Sequence, residues 1–272
     1  MAVVGRRRRG AAAVFCLTLG LNLAGILAAQ AQDDAAPDAR RTFLLGNMEF
    51  ILFHEMAHAL IGELGLPVLG REEDAADSLA TILMIPDEPD EAMDAAVAAA
   101  AEGWFQSYEA SGGDTAELAF WDEHGLDPQR AFAIVCLMYG SDPERYQQFA
   151  DEMGLPPERQ ETCPNDYALA VLSWNALLEP YATEAAGAGQ AVTIQYEEAR
   201  PEHAHLKEAL IDSGLFESVV AGVAQAYRFP EPVSAVLGYC DEPNAFWNPE
   251  ERTLVLCYEL AAYYEELTTA RQ

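Results

Sequence analysis

The segment 42–77 reads TFLLGNMEFILFHEMAHALIGELGLPVLGREEDAAD and contains the pattern that decides both the fold and the candidate site. Apolar residues recur three and four positions apart, which predicts one helix over residues 42–64. Gly65 and Pro67 end this helix, and a second one is predicted over residues 71–85. Because the connecting turn is short, side chains of both helices can contribute to one site.

The first predicted helix contains HEMAH at residues 54–58, an HExxH pattern. Two histidines four positions apart share one helical face, so His54 and His58 can bind one metal ion. Glu55 then projects beside the metal. A surface helix with two incidental histidines is the alternative if the pattern stands alone.

A catalytic zinc site has three protein ligands and one open position, so a third donor is expected on the second helix. Glu73 and Asp77 lie there one helical turn apart. We predict that Glu73 binds zinc and that Asp77 accepts a hydrogen bond from a ligand histidine, which fixes its tautomer. Glu72 and Asp74 are the competing ligands, and their alternative role is to stabilise the helix N-terminus by charge.

The transition state of amide hydrolysis needs a donor facing the developing oxyanion. The remaining histidines are His124, His203 and His205. His124 is the candidate because its loop contains carboxylates that can orient its ring. A surface or capping histidine is the alternative. Tyr258 is a weaker candidate, since packing on a sheet better explains an aromatic residue there.

The rest of the chain is predicted to be mostly helical. The further predicted helices cover residues 92–108, 116–123, 128–138, 143–152, 167–178 and 203–227. Strand-like alternation predicts strands at residues 192–196, 233–239 and 253–258, with turns over 241–251 between the last two. The pattern indicates a mainly helical α+β domain with a small β-sheet.

The N-terminus has the composition of a signal peptide. Four arginines at residues 6–9 precede an apolar run that ends in Ala-Gln-Ala at residues 29–31, where we expect cleavage. An uncleaved membrane anchor is the alternative, because the run approaches the length that spans a bilayer. We therefore predict a signal peptide over residues 1–31 and a single domain over 32–272, with a disordered lead-in over 32–40.

Four cysteines remain after this cleavage, an even number that is typical of two disulfides in an exported protein. Three pairings are open. We prefer Cys136 with Cys163 and Cys240 with Cys257, because each pair closes a short loop around turn-rich sequence. A four-cysteine zinc site is not expected, since no CxxC spacing occurs.

The chain is strongly acidic, with 45 Asp and Glu against 15 Lys and Arg and a formal charge of −30. Removal of the signal peptide takes away four arginines and no acid, which lowers the charge to −34. Nucleic acids and anionic membranes are not expected as partners, because phosphate binding needs clustered cations. The acidity modestly favours cationic substrates, although solubility is the simpler explanation.

The segment 53–77 resembles the signature of an exported bacterial family of zinc metallopeptidases of the zincin clan. The resemblance extends to residues 122–130 with Cys136, and to residues 240–249 with 256–260. It therefore covers nearly the whole chain after the signal peptide, and it implies a zincin-like metallopeptidase domain.

Residues 73–86 are similar to the third-ligand helix of the radiation-response and phage-immunity metallopeptidases. The ligand glutamate of those proteins aligns with Glu73, which favours it over Glu72 and Asp74. They usually carry asparagine at the position of Asp77.

The order of elements departs from that of zincins, in which the sheet that receives substrate precedes the HExxH helix. Here the block 244–260 comes last. We therefore expect a circularly permuted order in which the C-terminal strands pack beside the helix of His54.

These observations lead to the hypothesis of a zinc peptidase that acts on a peptide or protein. Zinc would polarise the scissile carbonyl and activate its water, and Glu55 would take the proton and deliver it to the leaving amine. The alternative is a non-catalytic exported zinc-binding protein that uses the site structurally or for partner binding. The expected location is the periplasm or the extracellular space, with no stable membrane anchor after cleavage.

Overall fold

The computed structural model describes residues 20–86, 88–113, 119–187 and 189–269. Within these ranges it gives side-chain positions from Asp38 onward, apart from residues 185 and 186. The chain divides into two compact units, residues 1–39 and 40–272, and the second contains the candidate site. Much of the predicted signal peptide lies outside the described residues, and its cleavage stays a prediction.

Helices dominate the described part of the chain, which confirms the predicted α+β class. The helices are α1 (Gly20–Leu64), α2 (Glu72–Met84), α3 (Glu91–Ala110), α4 (Asp127–Ser141), α5 (Pro143–Glu152), α6 (Pro157–Gln160), α7 (Cys163–Leu178), α8 (Thr183–Ala186), α9 (Ala204–Ser213), α10 (Leu215–Ala226) and α11 (Tyr258–Thr269). The strands are β1 (Val192–Tyr196), β2 (Val233–Gly238), β3 (Ala245–Asn248) and β4 (Thr253–Cys257).

The four strands form one mixed sheet in the order β1-β2-β4-β3. Strands β1, β2 and β4 are parallel, and β3 pairs antiparallel with β4 in a register that places Phe246 opposite Val255. Strand β3 is therefore an edge strand. Its position matters because it borders the helix that contains the HExxH pattern.

Contacts between β3, β4 and α1 confirm that the C-terminal strands pack beside the helix of His54. The backbone N–H of Trp247 in β3 lies close enough to the Glu55 carboxylate to lower its pKa. Arg252, just before β4, donates to Glu63 of α1 at 3.0 Å. The sheet thus forms one wall of the site, although a permuted relationship to zincins stays a prediction.

The first helix is longer than predicted. Helix α1 begins at Gly20, so residues 32–40 are helical and the prediction of a disordered lead-in is wrong. Alanines at positions 35, 36 and 39 favour this helix, which continues through Pro37 with the loss of one backbone donor.

Two other segments also differ from the prediction. Residues 119–123 form turns and bends rather than the end of a helix over 116–123, whose first three residues lie outside the described ranges. The Asp122 carboxylate accepts a hydrogen bond from the backbone N–H of His124, a turn interaction that competes with a helix. Gly214, with φ of +67°, divides the predicted helix 203–227 into α9 and α10.

Strand β3 and helix α11 were not predicted. Strand β3 lies within residues 241–251, which were interpreted as turns, and it is only four residues long. Helix α11 begins at Tyr258, directly after the last strand, where the residue pattern no longer alternates. Both elements line the candidate site.

The two preferred disulfides, Cys136–Cys163 and Cys240–Cys257, are both formed. The first joins α4 to the start of α7. The second joins the segment after β2 to the end of β4, so it encloses β3 in a short covalent loop.

No single helix in the described ranges is long and apolar enough to cross a bilayer. A bent pair, Pro201–Ser213 with Leu215–Ala226, reaches that length and composition only when its two parts are combined. Leu206, Leu210 and Phe216 of this pair are buried in the core of the protein.

Helices α1 and α3 cross at very short range, because small residues line both helices at the crossing. A methyl group on Gly46 would lie 2.8 Å from the carbonyl oxygen of Ala96. Gly103 leaves room for the side chain of Asn47, which donates a hydrogen bond to the carbonyl oxygen of Ala99 at 3.0 Å. This crossing fixes α1, and with it the HExxH pattern.

We expect Gly46→Ala to lower the free energy of unfolding by about 1–3 kcal/mol, because its methyl group overlaps the backbone of α3. Gly222→Ala is the matched control, since a methyl group there meets no atom within 4 Å. It should raise the free energy of unfolding by about 0.5–1 kcal/mol through helix propensity. Urea denaturation measures both changes, and equal stabilisation by the two substitutions would contradict the close crossing.

Candidate active site

Helix α1 presents His54, Glu55 and His58 at the centre of the protein. His54 and Glu55 are only 3% and 6% exposed, and His58 is partly buried. The imidazoles of the two histidines are one helical turn apart, and their ring centroids are 4.8 Å apart. A buried helix therefore holds both rings in fixed orientations.

The second helix brings Glu73 to these histidines. Helix α1 ends at Gly65, whose φ of +61° is left-handed, and the chain turns back into α2. The Glu73 Oε2 atom lies 3.1 Å from His54 Nε2 and 3.4 Å from His58 Nε2. The two Nε2 atoms are 3.1 Å apart.

These three distances fit a metal site. Ligand bonds of about 2.0–2.1 Å in a tetrahedral zinc site place neighbouring donor atoms about 3.3 Å apart. His54, His58 and Glu73 form a cluster of potential metal ligands whose donor atoms lie within 4.8 Å of one another. The predicted ligands are thus brought together as the pattern requires.

The tautomers of both histidines favour the same conclusion. The Nδ1 atom of His54 donates to Asp77 at 2.8 Å, and that of His58 donates to Glu72 at 2.8 Å. Burial lowers the pKa of His58, but hydrogen bonds to Glu73 and Glu72 outweigh it and raise this pKa to about 9, and the pKa of His54 is raised as well. A metal ion that displaces the Nε2 protons would therefore find a lone pair on each Nε2 atom. Two lone pairs and the Glu73 carboxylate converge on one point, an arrangement that a cation stabilises.

The other acids of α2 have different partners. Glu72, considered as a competing ligand, instead orients His58. Asp74, the other competitor, accepts a hydrogen bond from Arg71 at 2.9 Å and is exposed. Asp77 occupies the predicted position beside His54, so the spacing of Glu73 and Asp77 places the predicted ligand and its predicted supporting acid on one face.

Sequence reasoning missed Arg130, which lies behind Asp77. Its guanidinium donates two hydrogen bonds to the Asp77 carboxylate, at 2.7 and 2.6 Å, and it stacks 3.6 Å from the ring centroid of Trp104. Burial alone would raise the pKa of Asp77, but the charge and hydrogen bonds of Arg130 lower it. Asp77 is therefore ionised and available to His54.

Glu55 faces the same cleft as the ligand cluster. Burial raises the pKa of its carboxyl group above the ordinary value, against the opposing effect of the nearby histidines. The backbone N–H of Trp247 also lowers this pKa, to a smaller extent. This is the environment of a group that can exchange a proton during a reaction.

His124 reaches the site from the loop before α4. Its Nε2 atom lies 3.1 Å from Glu73 Oε2, and its Nδ1 atom lies 2.9 Å from Asp122. The hydrogen bond to Glu73, with a further one to Asp122, raises the pKa of His124 to about 9. Arg71 also donates to the His124 carbonyl oxygen at 3.0 Å, which ties the loop to the start of α2.

The other sequence candidates lie elsewhere. The hydroxyl of Tyr258 donates to the carbonyl oxygen of Glu197 at 2.8 Å, and its ring is fully buried, so this residue supports the sheet. His205 contacts Glu265 at 3.1 Å. His203 forms no contact with the ligand cluster.

A cleft of about 310 Å³ opens beside the ligands. Residues from α1, α3, α4, β3 and α11 line it: Ile51, His54, Glu55, Trp104, Ser107, His124, Asp127, Arg130, Pro243, Asn244, Ala245, Leu260, Tyr263 and Tyr264. The cleft therefore contains the predicted base and His124 and runs along the start of the edge strand.

A family profile described as "Putative metallopeptidase" matches residues 9–178 and 196–272 of the chain. The match covers nearly the whole chain, and the protein belongs to this metallopeptidase family. No curated protein and no solved structure matches it. The family description and the cluster of potential metal ligands both indicate a metal-dependent hydrolase.

We expect Arg130→Met to lower the free energy of unfolding by about 3–5 kcal/mol, because it leaves the Asp77 charge buried without its partner. Arg159→Met is the control, since the Arg159–Asp166 pair is exposed and should contribute only about 0–1 kcal/mol. Denaturant unfolding of the metal-free proteins measures both effects. Equal small losses would show that Arg130 does not support Asp77.

Proposed function

We propose that the protein is a zinc-dependent peptidase that hydrolyses peptide bonds in the cleft beside His54. The proposal is carried by one observation: three donor atoms of His54, His58 and Glu73 lie at the spacing of a tetrahedral site, with Glu55 beside them. Membership of a metallopeptidase family supports it.

The donor set fits zinc better than harder cations. Two imidazole nitrogens and one carboxylate oxygen are the ligand combination of many catalytic zinc sites, whereas magnesium and calcium prefer oxygen ligands. Zinc, when bound, polarises a carbonyl group and lowers the pKa of a water molecule. His54, His58 and Glu73 are the residues that would hold it.

The general base in this proposal is Glu55. The raised pKa of Glu55 is closer to neutral pH than that of an ordinary glutamate. Its carboxylate can therefore accept a proton from the attacking water and later protonate the leaving amine. The nearby backbone N–H of Trp247 favours the ionised form that accepts the proton. His124, protonated on Nε2, is the donor that would stabilise the oxyanion.

The edge strand supports a peptide as the substrate. Strand β3 pairs with β4 along one side, and no other described strand pairs with its second side. Its start, at Asn244 and Ala245, lines the cleft. An extended peptide can add to such an edge through main-chain hydrogen bonds, which would align it beside Glu55.

A non-catalytic zinc protein is the second candidate, and one contact favours it. His124 Nε2 lies 3.1 Å from Glu73 Oε2, although it is not part of the cluster that His54, His58 and Glu73 form. Binding of His124 as a fourth ligand would close the site. The side chain of His124 is 45% exposed and sits on a loop, whereas the other ligands lie on helices. A closed site also leaves Glu55 without a role, so we prefer the peptidase.

Export is part of the proposal. The two disulfides fit an oxidising compartment, either the periplasm or the extracellular space. We propose cleavage after Ala31, with no stable membrane anchor afterwards. A formal charge of −30 opposes binding to nucleic acids.

Metal content tests the ligand set directly. Elemental analysis should find one zinc per chain in the wild type and in Glu55→Gln, and none in Glu73→Ala. Glu72→Ala removes the acid that orients His58 but is not itself a proposed ligand. This variant should therefore retain zinc, with an affinity lowered about 10–100-fold. A folded wild type that takes up no zinc even after loading would refute the proposal.

The two candidate functions differ in what they require of His124. For the peptidase, His124→Ala should retain zinc while kcat on a peptide substrate falls about 100–1,000-fold, as expected for loss of an oxyanion donor. His205→Ala, a histidine remote from the site, should change neither quantity. Loss of zinc from His124→Ala would instead identify a fourth ligand and support the structural alternative.

A further inference from the structure

One carboxylate in the cleft differs from the acids that support the ligand cluster. Asp127 is the first residue of α4, and it lines the cleft together with Glu55 and His124. It is partly buried, yet it forms no hydrogen bond or ion pair with any described residue. Burial raises the pKa of its carboxyl group, which shows that the cleft solvates this charge poorly.

Six acids of the site have assigned partners, whereas the neighbouring Glu123 is exposed to solvent. Glu73 contacts three histidines, Asp77 binds Arg130 and His54, Glu72 orients His58, Asp74 binds Arg71, Asp122 binds His124, and Glu55 lies close to the Trp247 N–H. An acid without a partner is thus an exception within a site where carboxylates are otherwise neutralised or hydrogen-bonded.

No described cation forms an ion pair with Asp127, and the charges of Arg130 and His124 only partly oppose the effect of burial on its pKa. Two N–H groups of Arg130 bind Asp77, and its guanidinium plane stacks on Trp104. His124 is engaged by Glu73 and Asp122. A cation that pairs with Asp127 must therefore enter the cleft from outside.

We propose that Asp127 determines specificity by binding a lysine or arginine side chain of the peptide substrate beside the scissile bond. This inference rests on the proposed peptidase function. Trp104 and Tyr263 line the same cleft, and aromatic rings are good neighbours for the long stem and charged end of such a side chain. The strongly negative net charge favours the approach of cationic peptides.

The proposal is tested with the zinc-loaded protein and a set of fluorogenic peptides. Each position of the peptide in turn carries lysine, norleucine or glutamate, while the rest of the peptide is unchanged. The quantity to compare is the ratio of kcat/KM for the lysine peptide to that for the norleucine peptide, measured within each variant. At one position the wild type should show a ratio of about ten or more, and Asp127→Asn should lower it to about two or less.

Two further variants sharpen this comparison. Glu123→Gln removes one negative charge from an exposed neighbour and should leave the ratio at the wild-type value. Asp127→Lys should reverse the preference, so that the glutamate peptide becomes the better substrate. A wild type that cleaves peptides without a basic preference, or a ratio that survives Asp127→Asn, would overturn the role of Asp127 and leave the peptidase proposal standing.

Binding measurements distinguish failure of this inference from failure of the peptidase proposal. Fluorescence anisotropy measures the affinity of fluorescein-labelled lysine and norleucine peptides for zinc-loaded Glu55→Gln, with and without Asp127→Asn. A lysine preference that disappears with Asp127→Asn would support the inference even if the wild type hydrolyses none of the peptides. Equal affinities for the two peptides in the presence of Asp127 would overturn it.

Discussion

The buried carboxylate of Asp77 is the contact on which the site depends, because it joins three helices at one point. It lies on α2, accepts the Nδ1–H of His54 on α1, and receives two hydrogen bonds from Arg130 on α4. Each partner satisfies part of a charge that would otherwise be costly to bury. The same interaction fixes the ring of His54 and holds α4, which starts at the loop of His124, against the HExxH helix.

The local part of this arrangement was predictable from the sequence. His54 and His58 share a helical face, and Glu73 and Asp77 share another, because each pair is four residues apart. The order helix, turn, helix then brings both faces together without information from the rest of the chain. The mainly helical class was predictable for the same reason, since it depends on apolar periodicity within each segment.

The rest of the fold and of the candidate site depends on contacts between residues that are far apart in the sequence, which no local pattern predicts. Arg130 meets Asp77 across 53 positions, and the Trp247 N–H meets Glu55 across almost the whole domain. Strand β3 has four residues, too few for a clear alternation, and it forms because β4 offers it a partner. The role of Glu72 was missed because its side chain reaches His58 from the adjacent face of α2. This contact depends on the rotamer of Glu72, which the spacing of residues along the helix does not determine.

The short edge strand raises the question of what holds it against α1. An isolated four-residue strand gains little from pairing, so its position must be fixed at both ends. At its start, the carbonyl oxygen of Asn244 accepts a hydrogen bond from the N–H of Cys257. The Cys240–Cys257 disulfide closes the loop that contains the strand, which limits the conformations of that loop in the unfolded chain. At its end, Asn248 accepts hydrogen bonds from the backbone of the following turn. Covalent and polar constraints thus replace strand length, and they keep the Trp247 N–H close to Glu55.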